Sequence, residues 1–437
     1  MDWFSWSIFR NKWLWIGFLI GMVGIVEWRI GVRYNPYRWQ GDKRFYLWDR
    51  DTLWALRPEI AVENNGKSFH TNSVGLRGTD EYEPVSEHDL RIVVLGDSRA
   101  YGISVGDDST FSHCLQTALQ ERKIDAEIMN SGTPGYTIVQ CRAKLEQLLS
   151  YKPQIAILTA GYNDRRYLLL TPPDSRQSFS RIALSREIVD FLQRSNLLYA
   201  LSYEWGKRQI RQIQSNPPPL DQVEMRVPLE TFKNELSDFI TQCRQNRIHP
   251  ILMAIDQNPC VFEISDRAAR FYTEKKYREA IDLLEKHMSH MHIAASSFSH
   301  YLLGNCYREL GNQSQANRFY ATHEPIGSLH GEAVICEQDA YFQAIQDIAL
   351  RENVPVIRSK DAIQKINTRF LDSDLLALLD RMEQENWNLI DGSPYLPRID
   401  GKVTDLDNFF RGHFVDECHY DEVGHFLMGM ELADRII

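Results

Sequence analysis

The stretch IVVLGDS, residues 92–98, consists of four apolar residues followed by a glycine, an aspartate and a serine. A short run without polar residues is typical of a strand that is buried on both faces of a parallel sheet. Four further strands of this kind are predicted at Ala126–Met129, Ile155–Thr159, Ile251–Ile255 and Val354–Ile357.

Helical patterns separate and follow these strands. The predicted helices are Thr110–Glu121, Val139–Ser150, Arg186–Gln214 (one long helix or two short ones), Thr231–Arg247, Gln338–Glu352 and Glu422–Ile436. Strands that alternate with helices predict an α/β fold, with a parallel sheet covered by helices on both faces.

The composition is that of a globular protein. The chain has 437 residues, of which 43% are hydrophobic and 25% charged, and its net charge is −10. With no long block of Lys and Arg, nucleic acid is not an expected partner. The seven cysteines include no CxxC pair, so a zinc ribbon or a thioredoxin-type site is not expected. We expect neither a cofactor nor a metal.

The N-terminus carries an uncharged run, Trp13–Val26. At about 1.5 Å per residue the run alone is shorter than the ~30 Å hydrocarbon core of a bilayer, but Trp13, Trp15 and Trp28 bracket it as interfacial aromatic residues do. We expect residues 1–33 to form a single membrane anchor. A cleaved signal peptide and a buried helix are the alternatives. More basic residues follow the run than precede it, which by the charge rule favours a cytosolic domain.

The rest of the chain divides into four predicted segments. Residues 34–90 are expected to form a juxtamembrane segment with short strands that packs on the α/β domain. That domain comprises residues 91–262 and 326–437, and residues 263–325 form a helical insert that a connecting loop does not need.

The insert contains an internal repeat with one constant spacing. The matched positions are Ala268 with Gly304, Phe271 with Tyr307, Ala280 with Ala316, and Leu284 with Tyr320. Small residues that alternate with aromatic ones are typical of tetratricopeptide (TPR) repeats, and ordinary helical hairpins are the alternative. Two units cannot support themselves, so the insert is expected to rest on the α/β domain or on a protein partner.

Polar sequences follow the first three strands at the edge where ligands bind in open α/β sheets. These are Gly96-Asp97-Ser98, Asn130-Ser131-Gly132-Thr133-Pro134-Gly135 and Gly161-Tyr162-Asn163-Asp164, and Asp416-Glu417-Cys418-His419 lies near the C-terminus. Together they contain the parts of a serine hydrolase.

In this interpretation Ser98 is the nucleophile, His419 its base, and Asp416 the group that fixes the imidazole tautomer. The oxyanion donors are the N–H of Ser98, the N–H of Gly132 and the side-chain amide of Asn163. Gly132 has no side chain, so its N–H is expected to approach the substrate closely.

Each sequence alone has a structural explanation. Asp97 and Asp164 are better explained as residues that fix their loops, and Asp416 and His419 could form a surface ion pair. A metal cluster of His413, Asp416, His419 and Asp421 would leave the upstream sequences unexplained. His413 and His425 are expected to be structural.

The four polar sequences resemble those of the SGNH (GDSL-like) hydrolase superfamily. The resemblance implies a flavodoxin-like three-layer α/β/α fold and ester hydrolysis through an acyl-enzyme, with Ser98, Gly132, Asn163 and His419 in the four name-giving roles. Residues 71–78 also resemble the lead-in of bacterial members that carry an N-terminal anchor. The chain departs from the family in its helical insert, and in Tyr420, which replaces a common Pro and is expected to alter the loop on the substrate side.

The resemblance favours an esterase that acts on acylated carbohydrate or lipid of the cell envelope, with the domain outside the cytosol in spite of the charge rule. An O-acetyltransferase that uses the same residues is an alternative. A non-catalytic scaffold that recruits a partner through the insert is another.

Overall fold

The structure is a computed structural model of the whole chain. The residues it describes are 21–30, 45–64, 66–85, 87–168, 173–179, 222–255, 259–288, 293–322, 332–334, 338–359, 419–420 and 422–437, with residues 195–198, 200, 201, 204, 205, 208, 212 and 218. The described strands, in chain order, are β1 (Tyr46–Asp49), β2 (Leu53–Leu56), β3 (Ala61–Asn64), β4 (Lys67–His70), β5 (Leu90–Leu95), β6 (Ala126–Asn130), β7 (Ile155–Thr159), β8 (Arg166–Leu168), β9 (Glu224–Met225), β10 (His249–Ala254), β11 (Glu332–Val334) and β12 (Val356–Arg358).

The described helices follow the same order. They are α1 (Ser98–Tyr101), α2 (Phe111–Glu121), α3 (Ile138–Leu148), α4 (Leu229–Gln245), α5 (Pro259–Thr273), α6 (Tyr277–His287), α7 (Ile293–Glu309), α8 (Gln313–Thr322), α9 (Gln338–Glu352) and α10 (Glu422–Ile436). Short 3-10 turns cover Asp107–Ser109 and Leu149–Tyr151.

The central sheet has the order β6-β5-β7-β10-β12, and all of its strand pairs are parallel. Counted along the chain this is the 2-1-3-4-5 order of flavodoxin-like folds, whose connections reverse direction between the first and third strands. All five predicted strands therefore lie in one parallel sheet, as expected, and the reversal lies between β5 and β7.

Helices cover both faces of the sheet, as predicted. Alternate residues of β5 enter two separate cores: Val93 and Leu95 pack with α3, α4 and α9, whereas Ile92 and Val94 pack with α2 and α10. Each of these four side chains is fully buried, and burying one such side chain stabilises the fold by about 1.5–3 kcal/mol. The continuous apolar run of this strand is thus explained by its two covered faces.

Residues 45–85 belong to the predicted juxtamembrane segment, whose assignment stays a prediction, and they contact the loop that follows β6. They form two antiparallel hairpins, β1-β2 and β3-β4. The indole Nε1 of Trp54 donates to the carbonyl of Pro134 at 3.1 Å, and the Tyr136 hydroxyl donates back to the Trp54 carbonyl at 2.6 Å. These contacts connect the segment to the loop that follows β6.

A small antiparallel sheet, β11-β8-β9, was not predicted from the sequence. Its strands have two or three residues each and come from three distant parts of the chain. Such short strands carry no alternation pattern that a sequence could reveal.

The insert consists of two helical hairpins, α5-α6 and α7-α8, which share a core separate from those of the sheet. The small residues of the repeat let its helices approach closely. A Cβ at Gly304 would lie 2.1 Å from the ring of Tyr320, and Ala268 and Ala316 are fully buried. The TPR assignment itself stays a prediction.

Residues 21–30 are helical. In the part of the chain that the structure describes, no helix combines the length and the apolar character needed to cross a membrane. Residues 13–20 of the predicted anchor lie outside that part, as does most of the predicted Arg186–Gln214 helix.

Candidate active site

Ser98 is the first residue of α1, which begins at the carboxyl end of β5. Gly96 lets the turn lie close to the neighbouring strand β7, since a Cβ there would lie 1.9 Å from the Thr159 side chain. Asp97 caps the helix by accepting the backbone N–H of Arg99 at 2.9 Å. The local sequence therefore presents the Ser98 hydroxyl beside the reversal point of the sheet.

His419 meets Ser98 directly before α10 begins. Its Nε2 lies 2.7 Å from the Ser98 Oγ, a distance at which an unprotonated Nε2 can take the hydroxyl proton. The structure thus brings the predicted nucleophile and base together. Asp416 lies outside the described residues, and its orienting role stays a prediction.

The buried side chain of Tyr420 holds the backbone next to His419 in place. It is only 2% exposed, and its hydroxyl donates to the Ser359 Oγ beyond β12 at 2.9 Å. The Tyr420 carbonyl accepts the hydroxyl of Ser104. Tyr420 therefore points into the core and anchors the backbone next to His419, and its expected effect on the substrate-side loop stays a prediction.

The three predicted oxyanion donors differ in whether they already donate to another group of the protein. The Ser98 N–H has no acceptor among the described residues, because it lies in the unpaired first turn of a helix. The Gly132 N–H donates to the Asn130 Oδ1 at 3.0 Å. The Asn163 amide donates to the Tyr136 carbonyl at 3.1 Å and to the Asp97 Oδ2 at 3.3 Å. Of these three donors, only the Ser98 N–H is without an acceptor among the described residues.

Close packing against α1 also requires a glycine at position 132. A Cβ at this position would lie 2.3 Å from the backbone nitrogen of Tyr101 and 2.6 Å from the carbonyl carbon of Ala100. The missing side chain lets α1 lie against the loop after β6. The predicted approach of the Gly132 N–H to a substrate stays a prediction.

A buried ion pair that the sequence did not reveal lies directly behind Ser98. The Arg99 Nη2 contacts the Asp97 Oδ2 at 2.9 Å, with both side chains at most 3% exposed. The Arg99 Nη1 donates to the Ile255 carbonyl at 2.9 Å, beyond the end of β10. Arg99 therefore links the turn at Ser98 to the end of β10. In the sequence, the only indication of this ion pair is an Arg directly after the Ser.

Asn130 is a second residue for which the sequence predicted no specific role. Besides holding the Gly132 N–H, its amide donates to the Ala100 carbonyl at 3.0 Å and to the Ser112 Oγ at 2.8 Å. One side chain thus connects the loop after β6 with both α1 and α2. Its position at a strand end was visible in the sequence, but its partners were not.

Asp164 fixes its loop, as predicted. Its two carboxylate oxygens accept the backbone N–H groups of Ile138 and Gly161, each at 2.8 Å. Burial raises the pKa of Asp164 to about 6, although those two hydrogen bonds act in the opposite direction. The residue joins the start of α3 to the turn that carries Asn163, which positions the amide.

Arg77, in the predicted lead-in, supports α1 from the other side. Its buried guanidinium lies 4.4 Å from the centre of the Tyr101 ring, and its Nε pairs with Asp107 at 2.9 Å. The Arg77 backbone N–H bonds the Asn130 carbonyl at 2.9 Å. The segment before β5 is therefore part of the support of the nucleophile.

His425 is structural, as expected. It is 1% exposed, stacks on Phe111 at 5.9 Å between ring centres, and accepts the Phe111 N–H at its Nδ1 at 3.1 Å. Burial, assisted by the nearby His419, lowers the pKa of His425 to about 3. The ring is therefore neutral in the folded protein. His413 lies outside the described residues.

A cavity opens next to the nucleophile turn between the ends of β7 and β10. Its lining residues are Arg99, Ala160, Gly161, Tyr162, Arg165, Ile255, Tyr341, Phe342 and Ile345. Ser98 and Asn163 are not among the lining residues, but their chain neighbours Arg99 and Tyr162 are. The wall is aromatic and aliphatic, with guanidinium groups at one side.

Solved structures of esterases and lipases resemble this chain at low identity. A psychrotrophic esterase from Pseudoalteromonas sp. is 11% identical, with coverage of 80% of this chain and 97% of that chain and a TM-score of 0.31. An acetyl xylan esterase is 12% identical, with coverage of 79% and 98% and a TM-score of 0.31. A GDSL-like lipase from Bacteroides thetaiotaomicron is 8% identical, with coverage of 79% and 89% and a TM-score of 0.30. With TM-scores this low, these likenesses carry no argument about substrate.

Family membership rests on a sequence model instead. No functionally curated protein matches the chain. The model of the GDSL-like Lipase/Acylhydrolase family matches residues 94–376, which include Ser98, Gly132 and Asn163. His419 lies beyond the match, and its assignment depends on the geometry described above. Because the match extends over well more than half of the chain, this protein belongs to the GDSL-like lipase and acylhydrolase family and is a hydrolase of ester bonds.

Proposed function

We propose that this protein is a serine esterase that forms an acyl-enzyme on Ser98 and removes short O-acyl groups from a carbohydrate or lipid of the cell envelope. The observation that carries the proposal is the 2.7 Å contact between the His419 Nε2 and the Ser98 Oγ. A serine beside a base, at the ligand edge of an α/β sheet, is the arrangement that nucleophilic catalysis needs.

In the proposed reaction, the Ser98 Oγ attacks the ester carbonyl carbon while its proton passes to the His419 Nε2. The tetrahedral intermediate places its negative oxygen near the open Ser98 N–H. The imidazolium of His419 then gives its proton to the leaving alcohol, which leaves an ester on Ser98. A water molecule, deprotonated by His419, hydrolyses that ester and restores the serine. Asp416 keeps the proton of the neutral imidazole on Nδ1.

The second oxyanion donor requires a small rearrangement. The bond from Asn163 to Asp97 is long, at 3.3 Å, whereas the bond to Tyr136 is 3.1 Å. The amide can therefore exchange the Asp97 contact for the oxyanion and keep the Tyr136 contact. Catalytic hydrogen bonds are often formed fully only when the substrate is bound.

The lining of the cavity favours a short acyl group. Bulky side chains, among them Tyr162, Tyr341 and Phe342, form its wall. They leave little room for a long acyl chain. A polar, carbohydrate-like alcohol would extend from the cavity past the guanidinium groups.

We further propose that the chain is held in a membrane by residues 13–26, with the hydrolase domain outside the cytosol. The uncharged run and its Trp flanks support the anchor. Fusions of alkaline phosphatase and of a fluorescent protein to the C-terminus test the side. Phosphatase activity is expected, and fluorescence without it would place the domain in the cytosol.

Activity-based labelling tests the proposed mechanism. A fluorophosphonate probe should label the full chain, and Ser98→Ala should remove both the label and the hydrolysis of acetyl esters. Ser131→Ala is the matched control, because the Ser131 hydroxyl lies buried in the next loop without a partner among the described residues. That variant should keep both. Labelling that persists in Ser98→Ala would overturn the assignment of the nucleophile.

A panel of substrates tests the acyl group and the acceptor. Acetyl esters are expected to react faster than octanoyl or longer esters, and a preference for long chains would contradict the short-acyl proposal. The same residues would serve an O-acetyltransferase, in which a sugar hydroxyl replaces water. Transfer of acetyl to an added oligosaccharide, at the expense of free acetate, would favour that alternative.

A further inference from the structure

The carboxylate of Asp97 lies next to one of the predicted oxyanion donors. Its Oδ2 accepts the side-chain amide of Asn163 at 3.3 Å. Both residues are only 1% exposed, so bulk water does not screen the charge of the carboxylate. A full negative charge at this place would oppose the negative charge that develops on the oxyanion, because charges interact strongly in a buried, low-dielectric site. The site therefore needs a positive charge that compensates Asp97.

Arg99 supplies this positive charge. Its Nε donates to the Asp97 Oδ1 at 3.0 Å and to the Oδ2 at 3.2 Å, and its Nη2 donates to the Oδ2 at 2.9 Å. The guanidinium thus binds both oxygens of the carboxylate, which is the strongest arrangement of such a pair. The pair as a whole carries no net charge.

The guanidinium of Arg99 also has contacts that do not depend on Asp97. Its Nη1 donates to the Ile255 carbonyl, directly beyond β10, at 2.9 Å. Its central carbon lies 5.1 Å from the centre of the Tyr162 ring, beyond β7, which is within the range of a cation–π contact. These contacts come from two other strand ends. They hold the positive charge in place when the surroundings of Asp97 change.

Asn163 and Arg99 share the same acceptor atom. The Asn163 amide has two hydrogens, and it donates to the Tyr136 carbonyl at 3.1 Å as well as to the Asp97 Oδ2. The amide must give up one of these bonds when it turns to an oxyanion. If it leaves Asp97, the Oδ2 keeps the shorter bond from the Arg99 Nη2. Without Arg99, the departure of the amide would leave a buried carboxylate oxygen without a donor, which is costly.

We propose that Arg99 is a positioning residue of the reaction, which neutralises Asp97 and thereby releases the Asn163 amide to the oxyanion. The inference rests on the proposed acyl-enzyme mechanism at Ser98. Arg99 acts in this role through Asp97 and Asn163 and not by contact with the ester. Loss of its charge should therefore lower kcat and leave KM almost unchanged.

Two substitutions separate the charge of Arg99 from its shape. Arg99→Gln removes the charge but can still donate to Asp97, whereas Arg99→Lys keeps the charge and loses the fork of donors. Hydrolysis of an acetyl ester is measured in the full chain, at a temperature where each variant is folded. Active sites are counted by saturating fluorophosphonate labelling. We expect Arg99→Gln to lose a factor of about 10²–10³ in kcat, as much as the loss of an oxyanion donor, and Arg99→Lys only severalfold. Equal losses in the two variants would overturn the role of the charge.

Inhibition by a trifluoromethyl ketone measures the stabilisation of the oxyanion directly. The Ser98 Oγ adds to the ketone carbon, the C=O double bond opens to an anionic oxygen, and the hydroxyl proton passes to the His419 Nε2. The adduct resembles the tetrahedral intermediate, and such compounds bind far more tightly than substrates. Arg99→Gln should weaken the inhibition about as much as it lowers kcat. Inhibition as strong as in the parent protein would overturn the proposal.

A rescue variant distinguishes this role from simple structural support. Addition of Asp97→Asn to Arg99→Gln removes the charge that Arg99 neutralises, and it should recover most of kcat and of the ketone inhibition. A double variant as slow as Arg99→Gln alone would show that Arg99 does not act through the charge of Asp97.

Arg91→Gln is the matched control. Arg91 is as buried as Arg99 and pairs with Glu127, but it lies at the opposite end of β5. This variant should lose stability and keep the kcat of the parent protein. An equal loss of kcat in Arg91→Gln would show that any buried Arg has this effect, which would overturn the proposal. If the parent protein itself neither hydrolyses the ester nor responds to the ketone, the proposed esterase mechanism fails instead.

Discussion

The imidazole Nε2 of His419 lies 2.7 Å from the Ser98 hydroxyl, although 321 residues of sequence separate the two. Both residues are positioned by strands of the central sheet. Ser98 begins a helix at the end of β5. The backbone next to His419 is tied through the buried Tyr420 to Ser359, beyond β12. His419 is thus tied to the edge strand β12, whereas Ser98 follows β5, three strands further along the sheet. The distance between the two side chains therefore depends on the arrangement of the strands between them.

Asp416 and His419 should act as one unit. His419→Ala removes the base, and Asp416→Ala removes the group predicted to hold its tautomer, so each variant should lose most of kcat. The double variant should lose hardly more than His419→Ala alone, because residues of one catalytic unit are strongly non-additive. Steady-state kinetics on an acetyl ester measures this. Losses that simply multiply would show that the two side chains do not work together.

Asn163→Ala should lower kcat by a factor of about 10²–10³, as the removal of single oxyanion donors does in other hydrolases. The amide lies between Asp97 and Tyr136 and acts on the developing oxyanion, so KM should change little. Asn130→Ala is a useful comparison, since this side chain holds the Gly132 N–H and α1 and not the substrate. It should reduce thermal stability as well as kcat. An effect of Asn163→Ala on KM alone would assign the amide to substrate binding.

The strands of the central sheet could be predicted from the sequence because each is a short apolar run, buried on both faces. β7 has the predicted bounds, Ile155–Thr159, and β5 begins two residues before the predicted Ile92. The sheet of β8, β9 and β11 could not be predicted. Its strands form only where distant segments meet, and their two or three residues each provide no periodic pattern.

For the site, the sequence supplied the residue types but not their contacts. Ser98 and His419 could be predicted because a serine turn and a C-terminal Asp-x-x-His sequence are visible without a structure. The Asp97–Arg99 pair could not, since it depends on the Ile255 carbonyl that holds the guanidinium from another strand. The engaged state of the Gly132 N–H likewise depends on the orientation of Asn130.

Arg99→Met should destabilise the protein by about 3–5 kcal/mol, the usual cost of leaving one partner of a buried ion pair alone. The Asp97 carboxylate is 1% exposed and would lose its guanidinium partner. Addition of Asp97→Asn should recover part of that loss, because the unpaired charge is then absent. Urea denaturation followed by circular dichroism measures both. A loss for Arg99→Met no larger than that for an exposed Arg, such as Arg351→Met, would contradict the stabilising role of the pair.

His425 should make the protein sensitive to acid. Burial lowers its pKa in the folded protein to about 3, with the charges of His419, Arg77 and Lys67 acting in the same direction, whereas the unfolded chain takes up the proton near pH 6.5. The contribution of the neutral ring is therefore complete above pH 6.5 and is lost as the pH falls from 6.5 toward 3, by up to about 1.4 kcal/mol per pH unit. His425→Asn keeps an acceptor for the Phe111 N–H and should flatten the free energy of unfolding across this window, measured by urea denaturation at each pH. His113→Asn, at an exposed position of α2, should leave the slope of the parent protein. Equal slopes in all three proteins would show that some other group causes the acid sensitivity.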